Sequence, residues 1–132
     1  MKTRILGKTG FEVSIIGFGG IPIQQCDKDQ AVMLIKECLD QGINFIDTAR
    51  GYTVSEEYIG YALKKLGVND FYIATKTMGR TYEEAKKDFE VSYKNLGVEC
   101  IDLYQFHNIS KEKEYETVMG ENGAMKFFKE MK

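Results

Sequence analysis

The sequence predicts an α/β protein in which β-strands and α-helices alternate. Four short apolar runs rich in Ile, Val, Phe and Tyr recur along the 132 residues, and runs this short are typical of strands. Their apolar cores begin at Ile15, Ile43, Phe71 and Ile101, at intervals of 28, 28 and 30 residues. The segments between the runs have apolar residues at helical spacing. A strand–helix unit of about 30 residues, repeated, predicts parallel strands joined by right-handed crossovers.

The predicted elements follow one another along the whole chain. Two stretches at 3–6 and 12–15 flank a Gly-Lys-Thr-Gly turn and predict a β-hairpin over residues 3–15. The strands are predicted at 13–19, 42–47, 67–76 and 97–107, and the helices at 27–41, 53–66, 81–96 and 124–132. The first three helices begin with capping-box patterns, which are Asp27 with Gln30, Thr53 with Glu56 and Thr81 with Glu84. They end at glycines that can turn the chain left-handed, which are Gly42, Gly67 and Gly97.

Two architectures satisfy this pattern, an open doubly wound sheet and a closed eight-stranded barrel. The segment Gly17-Phe-Gly-Gly-Ile-Pro22 lacks the third glycine of the dinucleotide-binding G-x-G-x-x-G fingerprint, and no P-loop pattern is present. An eight-unit barrel needs about 250 residues, whereas four units occupy this chain. We therefore expect the chain to be truncated, with a complete small four-stranded domain as the alternative, and the open sheet and the barrel both stay open at this point.

Composition excludes several classes of function. The chain has 18 Lys and Arg against 20 Asp and Glu, and its net charge of -2 argues against electrostatic binding of nucleic acid. No apolar run approaches the roughly 20 residues that span a bilayer, and no signal peptide is visible. The three cysteines form no C-x-x-C pair, which argues against a metal site and favours a reducing cytoplasm.

Polar residues stand at the ends of successive predicted strands. Asp47, Lys76 and the single histidine, His107, each stand where a strand ends, and Tyr52 follows Asp47 by five residues. Because parallel sheets build sites at the carboxyl ends of their strands, we expect these four side chains to converge on one rim.

The four groups together suggest proton transfer by a phenol. A lysine ammonium about 4 Å from a phenolate contributes roughly 4 kcal/mol at an effective dielectric constant near 20. Asp47 would keep Lys76 charged and oriented, and His107 could position a carbonyl oxygen. None of these side chains can supply a hydride, so carbonyl reduction requires a nicotinamide.

These motifs resemble those of the aldo-keto reductase family. The segments that carry the resemblance are Gly-Lys-Thr-Gly-Phe-Glu-Val-Ser-Ile-Ile-Gly-Phe-Gly-Gly at 7–20, Asn-Phe-Ile-Asp-Thr-Ala-Arg-Gly-Tyr at 44–52 with Ser-Glu at 55–56, Ala-Thr-Lys-Thr at 74–77, and Asp-Leu-Tyr-Gln-Phe-His-Asn at 102–108. The Gly-Gly-Ile-Pro-Ile and Asp-Thr-Ala-Arg-Gly-Tyr segments also resemble a bacterial and archaeal subgroup. Many of its members carry a ferredoxin-like iron–sulfur module after the barrel, and no such cysteine motif is present in this chain.

The resemblance implies a role for each rim residue. Tyr52 matches the proton donor, Lys76 the residue that makes this phenol a stronger acid, Asp47 the residue that holds the lysine, and His107 the residue that orients the carbonyl. The positions that match the nicotinamide end of the cofactor site are Gly19, Gly20 and Asp47. The resemblance thus implies an NADP(H)-dependent reductase of a small carbonyl substrate.

The resemblance also implies that the chain is part of a longer fold. Residues 1–132 would form the N-terminal half of a (β/α)8 TIM barrel, with a hairpin at 3–15, βα units at 15–132 and the C-terminal half absent. In the family, strands five to eight supply contacts to the nicotinamide amide, an aromatic that stacks on the ring, and basic groups for the phosphates. We therefore expect the isolated chain to bind cofactor poorly and to be inactive alone.

Other interpretations stay open at this point. Asp47 and Lys76 could be a structural ion pair, Lys76 could form a Schiff base, and Arg50 could touch substrate or be solvated. Cys38 is predicted in the core, and Cys100 is predicted in a strand and buried. The alternative function is a non-catalytic half-barrel, an interaction or regulatory module that self-associates through exposed sheet edges.

Overall fold

A parallel sheet of four strands, in the same order as in the sequence, forms the centre of the molecule. The computed structural model describes residues 1–132. The sheet strands are β3 (Phe18–Gly19), β4 (Phe45–Asp47), β5 (Tyr72–Thr77) and β6 (Leu103–Phe106), which lie side by side in that order. An antiparallel hairpin of β1 (Thr3–Ile5) and β2 (Glu12–Ser14) precedes them. The predicted α/β class, with its preceding hairpin, is confirmed.

Helices connect the parallel strands and follow the last one. They are α1 (Lys28–Asp40), α2 (Ser55–Leu66), α3 (Tyr82–Leu96), α4 (Glu112–Met119) and α5 (Ala124–Met131), and a short 3-10 helix, Pro22–Gln25, precedes α1. The capping boxes predicted at Asp27 and Thr81 are present. No helix is long and apolar enough to cross a membrane.

The predicted capping box of the second helix is wrong. The helix begins one residue after Val54, and no side chain caps it. Thr53 instead has a φ of 36° and donates its hydroxyl proton to Gln24, 2.8 Å away. Glu56 is fully buried, so its carboxylate does not cap the helix.

The first predicted strand is two separate strands. Residues 12–14 belong to the hairpin, the sheet begins again at Phe18, and Ile15 and Ile16 between them are exposed. The break occurs where side chains replace the backbone ladder. The Ser14 N–H donates to the Asn44 side chain at 2.7 Å, and the Asn44 N–H donates to the Ser14 hydroxyl at 3.1 Å.

The last strand is shorter than predicted, and Cys100 lies outside it. The Ile73 N–H donates to the Asp102 carboxylate at 2.8 Å, so a side chain takes the place of the backbone ladder until β6 begins at Leu103. Cys100 is therefore exposed and not buried, which corrects the prediction. Cys38, by contrast, is buried in the core as predicted.

The main core fills the space between the sheet and the first three helices. Ile46 on β4 and Ile73 on β5 pack against apolar side chains of these helices, among them Ile35, Ile59 and Leu96. A second cluster of Ala85, Ala124 and Phe127 packs α5 against α3. These two clusters fix the sheet so that the carboxyl ends of its strands stay free to form a site.

Candidate active site

The register of the parallel strands brings their polar ends to one rim of the sheet. Gly19 pairs with Asp47, Asp47 pairs with Ala74, and Lys76 lies two residues further along β5. The His107 N–H, just past the end of β6, donates to the Thr77 carbonyl at 3.0 Å. Four neighbouring strands thus end at the same edge, as the sequence predicts.

Asp47 and Lys76 form an ion pair across neighbouring strands. The Lys76 ammonium donates to one carboxylate oxygen of Asp47 at 2.7 Å and to the Thr48 carbonyl at 2.8 Å. The lysine side chain is 16% exposed and that of the aspartate 38%. The ammonium is therefore held from one side, while the carboxylate still reaches solvent.

Tyr52 lies beside both Lys76 and His107. The Lys76 ammonium is 5.2 Å from the centroid of the Tyr52 ring. The rings of Tyr52 and His107 meet edge to face, with centroids 5.4 Å apart and planes at 89°. The structure thus brings together all four side chains that the sequence places on the rim.

His107 lies in a partly buried environment that lowers its pKa. Its Nδ1 atom is buried without a hydrogen-bond partner. Burial is the largest cause that lowers its pKa below the ordinary 6.5, and the positive charges of Lys76 and Arg80 lower it further, against a smaller opposing effect of Asp47. The Arg80 guanidinium also donates to the His107 carbonyl at 2.9 Å. The neutral imidazole is therefore favoured at neutral pH.

The loop that carries Tyr52 packs closely against Met78 and His107 at Gly51. A methyl group on Gly51 would lie 3.1 Å from the Met78 sulfur and 3.5 Å from the His107 Nδ1. The loop is also tied to the sheet, since the Arg50 N–H donates to the Lys76 carbonyl at 2.9 Å. The backbone of the tyrosine loop and the strand of the lysine are thus joined directly.

Gly19 and Gly20 have different surroundings. A methyl group on Gly19 would meet nothing within 4 Å, whereas one on Gly20 would lie 2.7 Å from the Ser55 hydroxyl and 3.0 Å from that of Thr48. The Gly20 N–H donates to the Asp47 carbonyl at 2.7 Å, and its own carbonyl accepts from Ser55 at 2.8 Å. Gly19 faces open space at the rim, while Gly20 packs against the loop behind it.

Sequence reasoning missed the role of Glu56. Its buried carboxylate pairs with the Arg50 guanidinium and accepts from the Thr75 hydroxyl at 2.7 Å. Arg50 is thus held by a buried ion pair, and 21% of its side chain is exposed. A signal for this was present, because Glu56 falls on the same helical face as Ile59 and Leu63, where a carboxylate needs a partner.

Comparisons with known proteins agree with this fold and rim. The family model described as "Aldo/keto reductase family" matches residues 15–132. The chain belongs to the aldo-keto reductase family. It is 35% identical over 124 residues to L-galactose dehydrogenase of Arabidopsis thaliana, covering 83% of this chain and 39% of that protein. It is 36% identical over 125 residues to aldo-keto reductase YhdN of Bacillus subtilis, covering 81% of this chain and 38% of that protein.

Solved aldo-keto reductases have the same arrangement of strands and helices. The holo form of aldo-keto reductase AKR11C1 from Bacillus halodurans superposes with a TM-score of 0.79 at 30% identity, over 99% of this chain and 46% of that chain. An aldo/keto reductase from Brucella melitensis gives 0.74 at 28% identity, over 98% and 48%. This aldo-keto reductase chain therefore has the fold of part of a TIM barrel, and it spans under half the length of these relatives.

Gly19 and Asp47 are the residues of this aldo-keto reductase chain's rim that could hold one end of a nicotinamide cofactor. Gly19 leaves open space beside Asp47, and the partly exposed Asp47 carboxylate can accept a further hydrogen bond while it holds Lys76. No group of His, Cys, Asp and Glu side chains could hold a metal ion.

Proposed function

We propose that these residues form the catalytic rim of an NADP(H)-dependent carbonyl reductase. The observation that carries the proposal is the position of the Lys76 ammonium, which is bonded to Asp47 and lies 5.2 Å from the Tyr52 ring centroid. In this proposal the positive charge of the ammonium stabilises the phenolate that forms when Tyr52 gives up its proton. The substrates are small aldehydes or ketones.

In this proposal Tyr52 donates its phenolic proton to the carbonyl oxygen while the carbonyl carbon gains a hydride. When bound, the nicotinamide supplies that hydride. The product is an alcohol, and the phenolate regains its proton from solvent. Asp47 fixes the ammonium that stabilises the phenolate, and the neutral His107 imidazole orients the carbonyl oxygen.

The 132-residue chain by itself is proposed to bind cofactor weakly and to turn over little. The rim can hold the nicotinamide end through Gly19 and Asp47, but the family's phosphate-binding groups belong to strands five to eight. A cytoplasmic location is part of the proposal. Three free thiols support it, those of Cys26, Cys38 and Cys100, because free thiols persist in reducing compartments.

A fused protein tests the catalytic role. The chain is joined to the C-terminal half of the Bacillus halodurans relative, and NADPH oxidation is followed with an aromatic aldehyde as substrate. Tyr52→Phe should reduce the rate by at least about 100-fold. The matched control is Tyr115→Phe, which removes an exposed phenol and should leave the rate unchanged. A folded, active fusion in which Tyr52→Phe retains full activity refutes the role of Tyr52.

A second candidate function is self-association of the half-barrel. Strand β3 pairs only with β4, and β6 pairs only with β5, so the sheet has two unpaired edges. We propose that the isolated chain forms dimers through these edges. Sedimentation velocity at micromolar concentration should show a dimer whose proportion rises with concentration, and a monomer at every concentration would contradict the proposal.

A further inference from the structure

A buried carboxylate lies between the loop of Tyr52 and the strand of Lys76. Glu56, in the first turn of α2, has no exposed surface. A buried charge is costly unless it is paired and hydrogen-bonded. One oxygen of Glu56 accepts from the Thr75 hydroxyl at 2.7 Å, and the other pairs with the Arg50 guanidinium. Both oxygens of the carboxylate are therefore used.

The two partners of Glu56 lie next to the proposed proton donor, Tyr52, and next to Lys76. Arg50 precedes Tyr52 by two residues, and Thr75 directly precedes Lys76 on β5. A single carboxylate thus connects the segment that carries the phenol to the strand that carries the ammonium.

The ion pair of Arg50 with Glu56 adds a side-chain attachment to the backbone hydrogen bonds that already hold the tyrosine loop. Gly51 allows the backbone many conformations on one side of Tyr52. On the other side, Thr53 has a φ of 36°, a value that β-branched residues rarely adopt unless the surroundings hold them there. The Arg50 guanidinium donates to the Thr53 carbonyl at 3.4 Å, so the arginine that Glu56 holds also spans the turn around Tyr52.

We propose that Glu56 is a positioning residue that acts through Arg50 to hold Tyr52 against Lys76 and His107. The catalytic meaning of this position rests on the proposed function, but the coupling itself is a property of the folded chain. A displacement of about 1 Å at a reacting group can cost about 100-fold in rate, so a fixed loop matters for a proton donor.

His107 is a built-in probe of this coupling. It is the only histidine in the chain, and its ring contacts the Tyr52 ring edge to face. Its Hε1 proton gives one resolved NMR resonance, whose position depends on the ring current of Tyr52. The spectra are recorded at about pH 8, where the imidazole is neutral. No cofactor and no turnover are required.

The test compares two glutamates that are neighbours on α2. Glu56→Gln keeps the size of the side chain but leaves one acceptor oxygen for two donors. It should move the His107 resonance by at least half of the displacement that Tyr52→Leu causes. Glu57→Gln is the matched control, because Glu57 is exposed and pairs only with Lys28, and it should leave the resonance in place. A smaller movement in folded Glu56→Gln overturns the proposal.

A double variant tests the route through Arg50. Arg50→Met should move the resonance as Glu56→Gln does, and the double variant should move it no further than either single change. Additive displacements would overturn the route. If Glu56→Gln fails to fold, Arg50→Met alone decides, and an unmoved resonance in that variant overturns the proposal. An active fusion carrying Tyr52→Phe would refute the proposed function and leave this coupling intact.

Discussion

The Lys76 ammonium donates to the Asp47 carboxylate at 2.7 Å, and the two residues belong to neighbouring strands. The pair reaches solvent through the aspartate, so its contribution to stability is small, whereas its position beside Tyr52 makes it important for chemistry. Stability and activity should therefore respond differently when the pair is broken.

Asp47→Asn should lower the free energy of unfolding by about 1 kcal/mol or less, because partly exposed pairs contribute little. The same change should reduce NADPH oxidation by the fused protein by about 100-fold, since the ammonium loses the group that orients it. Urea unfolding and steady-state rates measure the two effects. Asp40→Asn, which breaks an exposed pair with Lys36, is the control and should leave the rate unchanged. Equal activity of Asp47→Asn and the parent would contradict the role of Asp47.

His107 should titrate below 6.5, because burial and the charges of Lys76 and Arg80 lower its pKa in the folded chain. The unfolded chain then binds a proton more readily than the folded chain. The free energy of unfolding is therefore highest above about pH 6.5 and falls as the pH drops through the folded pKa.

NMR titration of the single histidine measures this pKa directly. His107→Asn should remove that part of the pH dependence of unfolding, with urea unfolding as the second measurement. A folded pKa at or above 6.5 would show that the imidazole is not desolvated as the structure indicates.

Gly19→Ala and Gly20→Ala should differ in their effects on stability and on cofactor binding. A methyl group on Gly20 meets two hydroxyls and the Asp47 carbonyl at 2.7 to 3.1 Å, so this variant should lose about 2 kcal/mol of unfolding free energy. Gly19→Ala meets nothing and should change stability by less than about 0.5 kcal/mol. It should nevertheless weaken NADPH binding by the fused protein, measured by cofactor fluorescence. Equal destabilisation by both changes would contradict the described packing.

The three thiols should react at different rates with a disulfide reagent. Cys100 is exposed and should react first, Cys26 is half-buried and should follow, and Cys38 is buried and should react only on unfolding. Burial also raises the pKa of the Cys38 thiol, which lowers its thiolate fraction. Mass spectrometry of the labelled peptides gives the order. Labelling of Cys38 before Cys100 would be inconsistent with the fold.

The sequence predicts the strand order and the rim because both depend on simple regularities. Repeated strand–helix units fix a parallel sheet, and Asp47, Lys76 and His107 stand where its strands end. The glycines that end the helices are also predicted correctly, since Gly67 and Gly97 have left-handed φ values of 65° and 61°.

The sequence does not predict where side chains replace backbone hydrogen bonds. Asn44 and Asp102 each accept a backbone N–H just before a strand begins, which shortens the sheet and leaves Cys100 outside it. The predicted capping box of Thr53 with Glu56 is wrong for a related reason. A glutamate three residues after a threonine fits a helix cap, and only the fold shows that its partners are Arg50 and Thr75.

Spatial order and chain order coincide throughout the parallel sheet. The strands β4, β5 and β6 each pair with the strand that precedes them, so each hydrogen-bonded ladder closes only after an intervening α-helix. These ladders join residues that are 27 to 29 positions apart in the chain, and parallel pairing at such separations is intrinsically slow to form. The reactive edge is consequently complete only when the last of the three ladders has formed, because Asp47, Lys76 and His107 stand at the ends of successive strands.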